Sequence, residues 1–580
     1  MSDADSALRL MRSGRESEGV EALSRLVEAA ARRRAPLDAQ ESALLVPWRN
    51  IFSRSRYPES RAMSVEAVQA KPKTIDGEIV LHSPSHIWIE PTNRCNTRCT
   101  HCGHFYSQFG GDMDHDLYHK IRDTVLDGVE RAELIGYGEP FMAKHFQEMF
   151  DDCVTRGIQI YTTTNGILLR DDERVSKVVR NDVTLCLSID GAKKESFETV
   201  RPYIKWHKML ETLECIKRNA DAAGDAKKFR LRFNFCAMKQ NIPDLPDLVR
   251  LAHQYGADEI FVLPLSGEEM FTKLTGQSLH DSPDIVSPAY LEALELAAEL
   301  GIALQIPASF RELILQGAER RKGVKGRLQY VRRKVSLAKI YMKGKGVSDT
   351  YKRWKKVTPK VKSKVGVTYC NMPWNDAYFA ADGTVFPCCI MTEKLGDMKT
   401  QDWNDIWNGQ GYRNLRRTIH GWNPSAVCRG CGLPGGINGG DGLQYQKHFS
   451  RFVPYNLPLD SEDLILGDGC HELELNPDGS ASHVWQAAKG AYRLRMKDGA
   501  QFLRIEILIR GADPGTNPGT ATINSGEPEY FDNTCDVFHV PLSNVTGDWI
   551  ELTLEMENGH HVGEDKRELA LAIKAIRYMI

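Results

Sequence analysis

The chain has 580 residues, 42% hydrophobic and 26% charged, with a formal net charge of −2. This is an ordinary globular balance, able to bury a large core spread over about four domains. The opening MSDADSALRLMRSGRESEGV lacks an apolar run and no later stretch approaches a membrane span, so neither export nor membrane insertion is expected and a cytoplasmic location is.

Residues 1–81 read as a helical segment, with apolar positions at helical spacing through Val20, Leu23, Leu26 and Val27, then Leu44, Leu45 and Trp48. From 82 to 268 short β-rich runs alternate with amphipathic stretches. The runs are HIWIE (86–90), ERAELIGYG (130–138), IQIYTTTNG (158–166), VTLCLSIDG (183–191), RLRFNFCAM (230–238) and EIFVLPL (259–265). Six such units predict an α/β fold in which a parallel sheet with right-handed crossovers curls into a partial (β/α)6 barrel. Ligands bind such barrels at the carboxyl ends of the strands, where the Gly, Ser, Asp and Asn residues of these runs stand.

Residues 269–369 read as a helical, basic insertion. Within it, Arg320 to Lys364 holds eighteen Lys or Arg and one acid, Asp349. Such a block suits an anionic contact: a membrane surface, a phosphorylated or lipid-linked substrate, or nucleic acid; a solvated helical face is the alternative. Residues 370–455, rich in Cys, Gly, Trp and Asn, read as metal-stapled. Residues 456–580 alternate strand-like segments with Gly, Pro and Asn turns, which predicts an antiparallel β-sandwich.

Fourteen cysteines in a chain without a secretory signal read as metal ligands or buried apolar groups, not as a disulfide framework. Cys95, Cys99 and Cys102 stand as CNTRCTHC just after the first strand. Three thiolates at this spacing can hold three irons of a cubane and leave the fourth open to a ligand; zinc, completed by His101 or His104, is the other reading. A second group is Cys370, Cys388 and Cys389 in DGTVFPCC, and Cys428 with Cys431 in CRGC, again suited to zinc or iron–sulfur. Cys186 and Cys236 share strand parity with Asp190 and Asn234, so either can face the barrel interior, with buried packing as the default.

CxxxCxxC after a first strand, GYGEP after a second, TTNG after a third and SIDG after a fourth together resemble the radical S-adenosylmethionine superfamily, over about residues 85–268. The resemblance implies a [4Fe–4S] cluster on Cys95, Cys99 and Cys102 that binds and reductively cleaves S-adenosyl-L-methionine. It also implies that Gly138 and Glu139 hold the methionine amino group, and that Ser188 and Arg201 contact its carboxylate. Asn165 and Asp190 are matched more loosely, turn chemistry at strand ends being their alternative. C-x17-C followed by C-x2-C resembles the auxiliary-cluster domains called SPASM and its shortened form, twitch. With no cysteine in the stretch after Cys431, the resemblance implies one auxiliary [4Fe–4S] cluster on Cys370, Cys388, Cys428 and Cys431, with Cys389 packed beside it.

The expected activity is therefore hydrogen abstraction by a 5′-deoxyadenosyl radical. The expected substrate is an anionic small molecule or lipid-linked glycan of sugar type, undergoing dehydrogenation or epimerisation. The sandwich is similar to domains appended to glycosyltransferases, and residues 320–364 would meet a phosphate or a membrane surface. A reductant such as flavodoxin or ferredoxin is implied. The rivals are a peptide maturase, an RNA-modifying radical enzyme and a zinc-stapled carbohydrate-binding protein without catalysis.

Overall fold

The computed structural model describes residues 74–580 except 76–77, 81, 103–110, 266–273, 280–281, 306, 308–309, 311–312, 315–369, 391, 432–447, 477, 479–480, 511–518, 532–535, 544 and 557–570. Of the stretch 1–81 read as helical, residues 1–73 lie outside the described residues, as does the basic block 320–364, and the described part is not helical: Thr74–Ile75 and Ile79–Val80 pair as a two-stranded antiparallel ribbon. Two compact units divide the chain: Pro84–Lys356 with Ala377–Thr384, and Met1–Ser83 with Val357–Asp376 and Val385–Ile580. No helix among the described residues is long and apolar enough to cross a membrane.

The first unit is built on parallel strands. In chain order they and their helices are β1 (His86–Ile89), α1 (His115–Val125), β2 (Arg131–Leu134), α2 (Phe146–Thr155), β3 (Gln159–Thr164), α3 (Asp172–Arg180), β4 (Val183–Ser188), α4 (Lys194–Val200) and α5 (Trp206–Ala223). There follow β5 (Arg230–Ala237), α6 (Leu245–Gln254), β6 (Glu259–Pro264), α7 (Pro283–Leu300) and β7 (Ala303–Leu304). Each strand from β1 to β7 pairs in parallel with the next, as six repeated βα units predict.

The helices form where the sequence offers an apolar face and a cap. In α1 the buried Leu117, Tyr118, Ile121 and Val125 recur at helical spacing, and the Asp114 carboxylate accepts from the amides of Asp116 and Leu117. Asp171 caps α3 in the same way.

Strands go beyond the six read from the sequence at both ends of the parallel run. β7 is two residues long, too short to leave a pattern. At the other end of the parallel run, after α8 (Met372–Asn375), β8 (Asp376–Phe379) lies beside β1, and the Glu90 amide donates to Phe379 O at 2.9 Å. Among the described residues β7 ends the sheet and pairs only with β6, so the sheet stays open.

The second unit continues with β9 (Thr384–Phe386), β10 (Gly396–Asp397), α9 (Trp403–Trp407), α10 (Gln410–Thr418) and α11 (Ala426–Arg429). Its sandwich runs β11 (Pro454–Leu457), β12 (Leu464–Leu466), β13 (Cys470–Leu475), β14 (Ala481–Gln486), β15 (Lys489–Arg495), β16 (Phe502–Arg510), β17 (Gly519–Ile523), β18 (Glu529–Phe531), β19 (Val537–Pro541), β20 (Trp549–Met556) and β21 (Leu571–Met579). One antiparallel sheet has the order β13-β14-β21-β16-β19, with β11 also on β21; the other is β12-β15-β20-β17-β18. Val484, Ile505 and Ile573 of the first share a core with Leu494, Leu552 and Leu554 of the second, so the alternation read from the sequence is a sandwich interior.

Candidate active site

The cysteine loop leaves the carboxyl end of β1 and is fixed before the first cysteine. Thr92 bridges to Asp112, the Arg94 guanidinium grips both oxygens of Asp112 at 2.7–2.9 Å, and Asn93 Oδ1 accepts from the Gly111 amide at 2.9 Å. Thr97 Oγ1 stands 3.3 Å from Cys95 Sγ and 3.7 Å from Cys99 Sγ, so one hydroxyl serves two thiols. Thr100 donates its amide and hydroxyl to Val200 O, which ties the loop to the end of α4.

The next residue after Val200 reaches the loop chemically. Arg201 donates from Nη1 to Cys99 Sγ at 3.3 Å, and from Nε to Asp190 Oδ2 at 2.7 Å. Asp190 Oδ1 accepts the Cys236 amide at 2.7 Å. Arg201 and Asp190 are both buried. Burial works against the guanidinium charge, but Asp190 and the Cys99 sulfur outweigh it and hold the pKa above its ordinary value. A fixed cation therefore faces the Cys99 sulfur. Asp190 and Arg201 thus form one device: the first orients the second.

The GYGEP loop docks directly on the cysteine loop. A Cβ at Gly138 would lie 2.4 Å from Arg94 O and 2.5 Å from Thr92 O, so only glycine allows this approach. The Glu139 amide donates to Arg94 O at 2.9 Å. Its buried carboxylate accepts from Thr164 Oγ1 at 2.5 Å and from the Asn165 amide at 2.8 Å. Burial dominates and pushes the Glu139 pKa up to about 7, against those donors. Asn165 donates from Nδ2 to Asn96 Oδ1 at 2.7 Å and accepts the Ile167 amide at 3.0 Å, so it both closes a turn and touches the cysteine loop. Ser188 ends β4 beside Asn234 of β5, whose buried Oδ1 has no hydrogen-bond partner among the described residues.

Glu90, Asn96 and Thr97 are the residues the sequence reading passed over. Glu90 Oε1 accepts the Tyr137 amide at 2.8 Å and Oε2 the Ala381 amide at 3.0 Å, which holds the GYGEP loop from below. An acid directly after a strand, three residues before an asparagine, was the available signal.

A zinc ion with 2.3 Å bonds draws tetrahedral sulfurs to about 3.8 Å of one another. Among the described residues no three cysteine sulfurs lie within 4.8 Å of each other. Three cysteine thiols on one loop, with the Arg201 guanidinium on one of them, are a donor set that suits an iron–sulfur core. His101, the alternative zinc ligand, turns Nε2 toward Asp190 at 3.5 Å, and burial lowers its pKa; His104 lies outside the described residues.

In the second unit the other four expected ligands converge. Burial raises the Cys428 pKa well above the thiol range, and the sulfurs of Cys370, Cys388 and Cys431 raise it further. The neighbouring sulfurs also oppose the ionisation of Cys370, a charge conflict that bound iron would relieve. Ser425 caps α11 beneath Cys428, and His420 meets Cys370 O at 2.8 Å while stacking on Trp374. Cys389 is exposed rather than packed. Cys470 lies in the sandwich and donates to Ala491 O at 3.3 Å. Cys186 is buried, and its pKa is pushed up to about 11 by that burial.

The second unit also holds a polar cavity of about 620 Å³. Gln410, Arg413 and Arg417 of α10 face Thr520, Tyr530 and Glu555 of the sandwich across it, and the Arg417 guanidinium lies 4.6 Å over the Tyr530 ring.

Residues 89–252 match the radical SAM superfamily, and residues 370–432 match SPASM, an iron–sulfur cluster-binding domain. Over 229 residues the chain is 26% identical to a tungsten-containing aldehyde ferredoxin oxidoreductase cofactor-modifying protein of Pyrococcus furiosus, covering 38% of this chain and 62% of that one. It is 27% identical over 198 residues to the mycofactocin maturase MftC of Mycolicibacterium smegmatis, covering 33% and 47% respectively. In each case the match spans less than two thirds of the relative. The solved structure of SuiB from Streptococcus suis aligns with a TM-score of 0.42 at 14% identity, covering 74% of this chain and 86% of that one. The radical SAM domain implies a [4Fe–4S] cluster and S-adenosylmethionine, and the SPASM domain implies auxiliary iron–sulfur binding.

Proposed function

For a chain that carries a radical SAM domain and a SPASM domain, we propose an enzyme that removes hydrogen from an unactivated C–H bond of a sugar or glycan-type substrate, in a dehydrogenation or epimerisation. The observation that carries the radical chemistry is the Asp190–Arg201–Cys99 chain at the rim of the parallel sheet. When bound, the cluster and S-adenosylmethionine supply an electron and a 5′-deoxyadenosyl radical. Cys95, Cys99 and Cys102 would hold that cluster. Arg201 sets the charge beside Cys99, while Gly138 and Glu139 bring the β2 loop to within reach of the cofactor's amino end. Ser188 and Asn234, on neighbouring strands, offer polar groups to the rest of it.

In the second unit Cys370, Cys388, Cys428 and Cys431 would hold one auxiliary cluster, which would supply an electron acceptor for an oxidation or shape the site. A flavodoxin or ferredoxin is the proposed reductant. The sugar reading draws on the polar cavity beside Tyr530, where Gln410, Thr520 and Glu555 offer hydrogen-bonding groups to a hydroxyl-rich ligand, while Arg413 and Arg417 are held by Glu78. A second reading is peptide maturation, favoured by the similarity to mycofactocin maturase MftC.

The test is release of 5′-deoxyadenosine by the reduced, reconstituted protein against a panel of nucleotide sugars, lipid-linked glycans and peptides. Substrate-stimulated release with a sugar is the expected result. Stimulation by peptides alone would replace the sugar reading with the second one. The Cys99→Ala variant should lose release altogether, and release that survives it would refute the assignment of the first cluster.

A further inference from the structure

Away from the strand ends, the outer helices bring three imidazoles around one carboxylate. His115 and His119 are one turn apart on α1, while His145 precedes α2 and Glu148 lies in its first turn. The Glu148 carboxylate meets His115 Nε2 at 2.7 Å through Oε2 and His119 Nε2 at 2.7 Å through Oε1. His145 Nδ1 stands 3.9 Å from the oxygen that His115 already occupies, and its ring stacks on that of His115 at 4.2 Å and 20°. One donor atom each from His115, His145 and Glu148 falls within 4.8 Å of the others.

We propose that His115, His145 and Glu148 form a divalent metal site of zinc type that clips α1 to α2. A plain hydrogen-bonded network accounts for His115 and His119, each with its own carboxylate oxygen. It leaves His145 unexplained, since 3.9 Å is too long for a hydrogen bond. An ion bound at about 2.0–2.2 Å explains all three, because it needs two imidazole nitrogens and one carboxylate oxygen converging on one point. Side-chain rotation supplies the remaining contraction, as these groups are 20–43% exposed. His119 then serves as the outer partner that fixes the second carboxylate oxygen. The nearest cation, Arg122, lies 3.6 Å from Glu148 Oε1 but is drawn aside by Asp123 at 2.8 Å.

The site would join the helix that follows the cysteine loop to the helix that follows GYGEP. Lys144, next to His145, donates its amide to Asp112, the residue that also grips Arg94. Zinc would therefore brace the scaffold behind both loops without touching the cluster.

The full chain with its clusters rebuilt is stripped of loose metal on a chelating resin and titrated anaerobically with zinc chloride against a chromophoric chelator. Expected is one zinc per chain with iron unchanged, and a rise in the unfolding midpoint. Affinity should fall at least about tenfold in His119→Ala, and further in His115→Ala and Glu148→Gln, at constant iron content. No zinc uptake by the wild-type chain would overturn the proposal. So would uptake and a midpoint shift that persist undiminished in the triple variant His115→Ala, His145→Ala, Glu148→Gln.

Discussion

Glu139 concentrates the electrostatic tension of the site. Its carboxyl accepts a hydroxyl and a buried amide, yet burial prevails and lifts its pKa from 4.5 to about 7. Because the folded value lies above the unfolded one, its contribution to stability is complete below about pH 4.5. It is lost as the pH rises through 7, by on the order of 3 kcal/mol. Glu139→Gln keeps the shape and stays neutral, with its amide able to donate to the Thr164 hydroxyl and accept from Asn165. Denaturant unfolding without added S-adenosylmethionine should therefore show the wild type losing stability relative to the variant between pH 5 and pH 8. A constant difference across that range would mean that the carboxyl is not strained by burial.

Whole elements explain why some of the site was legible and some was not. The runs ELIGYG, TTNG and SIDG were read as strand ends, and the strands stop earlier, at Leu134, Thr164 and Ser188. Beyond those points backbone groups turn to side chains: Asn165 donates its amide to Glu139, and Tyr137 donates its amide to Glu90. The motif residues were visible because sulfur, glycine and acid at fixed offsets are chemically distinctive. Asn96, Thr97 and Glu90 were not, since their value comes only from what the fold brings beside them, and β7 was too short for periodicity to register. Gly138 shows how tightly these loops fit. Gly138→Ala puts a methyl against two carbonyl oxygens at 2.4 and 2.5 Å, so the GYGEP loop must withdraw from the cysteine loop. The expected result is a chain that folds, keeps its auxiliary iron and loses much of the other about four irons, read by iron analysis and by the rate of S-adenosylmethionine cleavage. Wild-type iron and cleavage in this variant would show that the loops do not need this contact.

At the scale of the molecule, the sandwich does more than extend the chain. β19 is the edge of its sheet, and an edge strand leaves amides and carbonyls without partners. The segment that carries Cys428 and Cys431 covers that edge. Asn423 donates from Nδ2 to His539 O at 2.9 Å and accepts the His539 amide at 2.7 Å, while Arg429 Nη1 donates to Val537 O at 2.6 Å. Asn423 is fully buried, and His539, kept neutral by its own burial, stacks on Phe449 at 3.6 Å. The cover thus completes the sandwich, and the sandwich in turn fixes the segment that carries two of the four proposed auxiliary ligands. Asn423→Ala should strip two buried backbone groups of their partners, at a cost of about 2–4 kcal/mol. If the second unit works in this way, the variant should fall from about eight irons per chain to about four. It should still cleave S-adenosylmethionine without substrate turnover, because Cys95, Cys99 and Cys102 belong to the other unit. Iron analysis alongside 5′-deoxyadenosine and product measurements decides this: equal loss of both clusters, or no loss at all, would show that the edge contact does not anchor the auxiliary site.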